Sequence, residues 1–129
     1  MPKIKNGLYI VATPIGNLGD MSARAQEILT TVDKIACEDT RVTGKLLSRF
    51  SINTPMMMYH DHNAGKVRPG LLADLRQGAA IALVSDAGMP AISDPGYKLI
   101  RACLDDNIPL TVIPGANAAL TGLVHSGLP

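Results

Sequence analysis

Four short stretches of this sequence concentrate side chains that can move protons, hold anions or bind metal. They are Thr13-Pro-Ile-Gly-Asn-Leu-Gly-Asp20, Glu38-Asp-Thr-Arg41, His60-Asp-His-Asn63 and the segment 85–96, Ser-Asp-Ala-Gly-Met-Pro-Ala-Ile-Ser-Asp-Pro-Gly. His60 and His62 would share a face of an extended segment, as two metal ligands do, but no third ligand stands near them. Polar loop residues beside a substrate suit them better. In 85–96 the glycines let backbone pass close to a ligand. That segment is also longer than the two to six residues usual between a strand and a helix. A plain turn capped by aspartates is the structural alternative. Glu38, Asp39 and Arg41 read first as a helix start, with Asp39 capping and Glu38 pairing with Arg41. Arg41, Lys45 and Arg49 recur every four residues and line one helix face. Such a stripe is ordinarily solvated; phosphate contact is its functional alternative. Cys37 and Cys103 lack CxxC spacing and read as reduced, buried thiols.

The elements that must position these segments alternate. Strands are expected at 8–12, 34–38, 55–59, 79–84 and 110–113, and helices at 22–32, 40–50, 67–77, 97–104 and from 116 to 123. Ser22 can cap the first helix. Met56, Met57 and Met58 read as core strand, and the continuous apolar run 79–84 as a central parallel strand. The fold class is therefore α/β: a five-stranded, mainly parallel sheet with helices on both faces and right-handed crossovers. Ligands of such sheets bind beyond the carboxyl ends of the strands. There the four polar segments gather with a fifth, Pro114-Gly-Ala-Asn117. No GxGxxG follows the first strand and no GxxxxGK[ST] occurs, so neither a dinucleotide fold nor a P-loop is supported. A receiver-like domain would need acidic residues after the first strand and a lysine after the last; Thr13-Pro14 and Pro114-Gly115 stand there instead.

Composition agrees with one folded domain. The chain has 129 residues, 47% of them hydrophobic, so disorder is excluded and no staple is required. Aromatics are 3%, with no Trp, which argues against a large base-stacking platform. A net charge of +1 gives no strong overall field for nucleic acid, though a local basic patch is compatible with it. The apolar stretch 8–12 after Lys3 and Lys5 stops at Pro14, too short for a signal-peptide core. No apolar run approaches the roughly 20 residues of a membrane helix. The expectation is a soluble, cytoplasmic chain.

Residues 8–20, Cys37-Glu-Asp-Thr-Arg41, His60-Asp-His-Asn63, Leu83-Val-Ser-Asp-Ala-Gly88 and Ile92-Ser-Asp-Pro-Gly96 closely resemble the methyltransferase I family of small-subunit ribosomal RNA. That family lies within the tetrapyrrole methylase superfamily, and the resemblance runs from Gly7 to Pro129. It implies S-adenosylmethionine as cofactor and methyl transfer to a cytidine ribose 2′-hydroxyl in 16S rRNA. It also implies a second, C-terminal α/β domain absent from these 129 residues, which form the N-terminal domain, with the cofactor lying between the two. The implied partners are 16S rRNA or the small ribosomal subunit, and a homodimer of the full-length chain, with no membrane. The isolated domain is expected to be inactive.

Carried over residue by residue, the resemblance assigns cofactor contacts to Pro14, Gly88, Met89, Ile92, Asp94, Asn117 and Ala118. Backbone N–H groups of these loops would hold the methionine carboxylate. Glu38, Arg41, Lys45 and Asn63 fall to the substrate. Methyl transfer is an in-line displacement in which positioning supplies most of the rate. A general base would still add roughly 10²–10⁴-fold on a weakly acidic hydroxyl; Asp39, Asp86 and His60 are the candidates. The chain departs from the family at Met89, where threonine is usual, and in Pro114-Gly-Ala-Asn117, where Pro-Gly-Pro is usual. A methylase of small tetrapyrroles and a non-catalytic binding domain are the rival readings.

Overall fold

The computed structural model describes residues 4–90, 95–115 and 124–127. The elements in chain order are β1 (Gly7–Val11), α1 (Ala23–Thr31), β2 (Lys34–Cys37), α2 (Thr40–Arg49), β3 (Met56–Met58), α3 (Ala64–Arg76), β4 (Ala80–Leu83), α4 (Gly96–Asp105) and β5 (Leu110–Ile113). All strand pairs are parallel, in the order β3-β2-β4-β1-β5. Every strand therefore ends at the same edge of the sheet. The fifth expected helix, 116–123, lies outside the described residues.

The three central strands, β2, β4 and β1, are buried on both faces, and their alternation divides the core in two. Tyr9, Val11, Ile35, Cys37, Ala80, Ala82 and Val84 face one layer, which receives Ala25 and Leu29 of α1 and Leu47 of α2. Leu8, Ile10, Ala36, Ile81 and Leu83 face the other, which receives Leu71, Leu72 and Leu75 of α3 and Leu99 and Cys103 of α4. A continuous apolar run is what a strand between two helical layers requires. Ser22 caps α1, accepting the Ala25 N–H at 3.0 Å.

Three local expectations need correction. The helix expected to begin at Val67 begins at Ala64, because Asn63 occupies the cap position and the chain winds through Gly65 and Pro69. Pro69 lies inside this helix and has no N–H to give the Gly65 carbonyl. The methionines 56–58 are not core. β3 is an edge strand in which Met56 and Met58 are 37% and 50% exposed, while Met57 packs against the second core layer. An edge strand this short has a neighbour on one side only. Glu38 does not pair with Arg41; Asp39 does, at 3.2 Å.

Candidate functional site

The strand order puts β4 between β2 and β1, so the loops leaving these three strands emerge side by side. The loops after β1 and β4 are fastened to each other. Thr13 N–H donates to Gly88 O at 2.9 Å and Gly88 N–H donates to Thr13 O at 3.0 Å, a single antiparallel bridge. Gly88 makes it at φ 81°, backbone that side chains disfavour. Ser85 Oγ closes the turn by donating to Ala87 O at 2.9 Å. The amide of Gly88 is thus engaged with Thr13 and acts on the site by joining two loops, not as a free donor. Met89 differs. Its side chain packs into the second core layer, and its N–H and C=O form no hydrogen bond among the described residues. Of the other expected cofactor positions, Pro14 is buried, and Ile92, Asp94, Asn117 and Ala118 lie outside the described residues.

Asp39 is occupied by its own helix. Its carboxylate accepts the Arg41 N–H at 2.9 Å as the cap of α2 and also meets the Arg41 guanidinium. These hydrogen bonds from Arg41 hold its carboxyl below the usual carboxylate range. Glu38 stands in the opposite condition. Its carboxylate makes no hydrogen bond or salt bridge to a described residue. Partial desolvation, then Asp86 and Asp61, push its carboxyl upward, against a smaller lowering by His60. His60, at the end of β3, accepts the His62 N–H on Nδ1 at 3.1 Å, and the two rings meet edge to face at 5.8 Å. That bond leaves Nε2 of a neutral imidazole as the protonated nitrogen. Among the described residues no cluster of three metal-ligating side chains forms. Asn63 is held by the same turn: Oδ1 accepts the His60 N–H at 2.8 Å, and Nδ2 donates to Met58 O at 2.9 Å.

A groove of about 1230 Å³ starts at Pro14 and Asp86 on this edge and runs along α2 past Arg41, Lys45 and Arg49 to Asn53 and Thr54. Leu18, Val42 and Met56 give it apolar walls. The stripe expected on α2 is therefore a wall of the groove. Lys45 and Arg49 make no ion pair among the described residues, whereas Arg41 is paired with Asp39.

Sequence reasoning missed a brace beneath the site. Tyr59, fully buried just beyond β3, donates its hydroxyl to Pro95 O at 3.0 Å and accepts from Arg68 Nε at 2.8 Å. The Arg68 guanidinium also lies 5.8 Å from the Tyr59 ring centre. The end of β3, α3 and the start of α4 are tied at this one phenol. No local signal marks a bond between residues 36 positions apart.

Residues 7–129 match the family model described as Tetrapyrrole (Corrin/Porphyrin) Methylases. The chain belongs to that family. A solved member of this fold, uroporphyrin-III-C-methyltransferase from Thermus thermophilus, superposes with a TM-score of 0.68 at 21% identity, covering 95% of this chain and 52% of that one. Curated relatives share far more sequence with this tetrapyrrole methylase-family chain. Ribosomal RNA small subunit methyltransferase I of Synechocystis sp. is 60% identical over 121 residues, which are 94% of this chain and 43% of the relative. The protein of the same name from Escherichia coli O157:H7 is 54% identical over 122 residues, 95% and 43% of the two. The chain thus spans less than half the length of these relatives. No helix among the described residues is long and apolar enough to cross a membrane.

Proposed function

We propose that this chain is the N-terminal domain of an S-adenosylmethionine-dependent methyltransferase acting on a cytidine ribose 2′-hydroxyl in 16S rRNA. The observation that carries the reading is the groove, which joins the strand ends at Pro14 and Asp86 to Lys45 and Arg49 on α2, cations without an ion pair among the described residues. Such cations along an open groove suit the phosphodiester backbone of RNA, whose affinity for proteins comes largely from residues of this kind. The names of the curated relatives support small-subunit ribosomal RNA as the substrate, and the cytidine ribose hydroxyl rests on the family resemblance alone.

The described residues fit the cofactor. The Thr13–Gly88 bridge holds two loops together at the crevice, and Met89 beside it keeps a backbone donor and acceptor free of bonds to the described residues. These suit the methionine end of the ligand, and they suit it through backbone, so methionine can stand where threonine is usual. Bound there, S-adenosylmethionine would supply an electrophilic methyl group. The chain's own contribution is placement: Lys45 and Arg49 hold the RNA backbone, and the joined loops fix the strand-end carboxylates relative to it. The cofactor contacts at Ile92, Asp94, Asn117 and Ala118 rest on resemblance alone.

The test uses the full-length protein, labelled S-adenosylmethionine and small ribosomal subunits. Label is expected in 16S rRNA at one cytidine, with the adjacent phosphodiester resistant to alkali, as a blocked 2′-hydroxyl requires. Label in a base overturns the ribose assignment. Label in a porphyrinoid acid but none in rRNA overturns the substrate class.

A further inference from the structure

We propose that Glu38, and not its neighbour Asp39, is the group that takes the proton from the substrate hydroxyl; this rests on the methyl-transfer reading above. Strand register places it. β2 pairs with β4 at Ala36↔Leu83 and with β3 at Cys37↔Met58. Extended past the last pairs, the ladders bring Glu38 level with Ser85 on one side and Tyr59 on the other. Asp86 and His60 are the next residues along those neighbours. Glu38 therefore emerges at the middle of the three strand ends, next to the β4 loop whose Asp86 is one of the residues lining the groove.

The two adjacent carboxylates also differ in what engages them. Asp39 caps α2 and binds the Arg41 guanidinium, so its lone pairs are engaged and its basicity is lowered. The Glu38 carboxylate has no hydrogen-bonding partner among the described residues. A base must be free to reach its proton and must hold it once taken. Glu38 meets the first condition by geometry. It meets the second because, although the residue is exposed, partial desolvation raises its proton affinity, with Asp86 and Asp61 adding to it and His60 opposing. Asp39 meets neither. In the balanced step the hydroxyl oxygen forms a bond to the methyl carbon and the hydroxyl proton passes to Glu38. The electron pair of the broken carbon–sulphur bond stays with sulphur.

An arrangement that raises a carboxyl has a cost that can be measured without any substrate. A carboxyl whose proton affinity is higher folded than unfolded destabilises the folded chain when ionised. That penalty is present at pH 7 and disappears as pH falls below the unfolded value, about 4.3. Glu38→Gln should therefore raise the melting temperature at pH 7 and leave it unchanged at pH 4. A carboxyl NMR titration of the full-length protein should show Glu38 above the ordinary glutamate range, and Asp86→Asn should bring it down. In the methylation assay Glu38→Gln should lower kcat by roughly 10²–10⁴-fold with RNA affinity retained, and Glu38→Asp should recover part of the loss. Asp39→Asn, which keeps a capping side chain, should lose less than Glu38→Gln. The reverse order of loss, an ordinary Glu38 titration, or a Glu38→Gln enzyme within threefold of wild type overturns the assignment while leaving the methyltransferase reading intact. A wild-type enzyme that labels no rRNA overturns both.

Discussion

Where the chain leaves β5 it passes very close to the end of β1, and Gly115 is what permits the approach. A Cβ built on Gly115 would lie 2.8 Å from Ala12 Cβ and 3.6 Å from Ala12 O. Ala12 is 4% exposed at the end of a strand held on both sides by β4 and β5, so it has no room to yield. Gly115→Ala must therefore displace the turn. Forced overpacking of this kind costs about 1–3 kcal/mol. The alanine returns about 0.4–1 kcal/mol by restricting the unfolded chain. A net loss of up to about 2.6 kcal/mol remains, about 1.3 kcal/mol at mid-range, which lowers the melting temperature of a chain this size by roughly 4–7 °C.

Urea unfolding of the 129-residue chain, followed by circular dichroism, measures the loss. A double-mutant cycle assigns its cause. Ala12→Gly removes the atom that Gly115→Ala would strike, so the double variant should be more stable than the sum of the singles by at least about 1 kcal/mol. Additivity within about 0.3–0.5 kcal/mol would refute the clash as the reason for this glycine. The same pair tests the cofactor assignment, because Asn117 and Ala118 follow directly. In the full-length protein Gly115→Ala should weaken S-adenosylmethionine binding, and adding Ala12→Gly should recover it.

Tyr59→Phe should destabilise the chain by about 1–3 kcal/mol, because it leaves both Pro95 O and Arg68 Nε without the phenol oxygen they share; urea unfolding reads this directly. Burial pushes the Cys103 thiol up to about 11, so it stabilises the fold below the unfolded value near 8.5, and that contribution is lost as pH rises toward 11. The wild-type chain should accordingly lose about 3 kcal/mol over that interval relative to Cys103→Ala, and its folded thiol should resist iodoacetamide at pH 8. Lys45→Gln with Arg49→Gln in the full-length protein should weaken rRNA binding and reduce the slope of log affinity against log salt by about 0.7 for each phosphate no longer neutralised; an unchanged slope would remove α2 from the RNA surface.

What can be read from the residues follows from what each element needs. β4 is legible because a strand covered on both faces must be apolar throughout, and the run 79–84 is. β3 reads as core because Met56-Met-Met58 carries the same hydrophobic signal at an edge, and nothing local says that one neighbour is missing. The start of α3 is hidden by Gly65 and Pro69, which oppose a helix by propensity; Asn63 and the His60 turn impose one from outside. The functional edge is legible for a topological reason: once the strands are parallel, every polar loop that follows one must gather at a single rim, whatever the strand order. The order itself is not legible, and the chemistry depends on it. Glu38 meets Asp86 across 48 positions only because β4 inserts between β2 and β1, and alternation of strands and helices is equally satisfied by other orders. Local spacing accordingly makes Asp39 a helix cap and pairs Glu38 with Arg41, and only the family resemblance adds Asp39 to the candidate bases. The structure leaves Asp39 bound to its helix and to Arg41, while β4 brings Asp86 near Glu38, which makes no bond to a described residue.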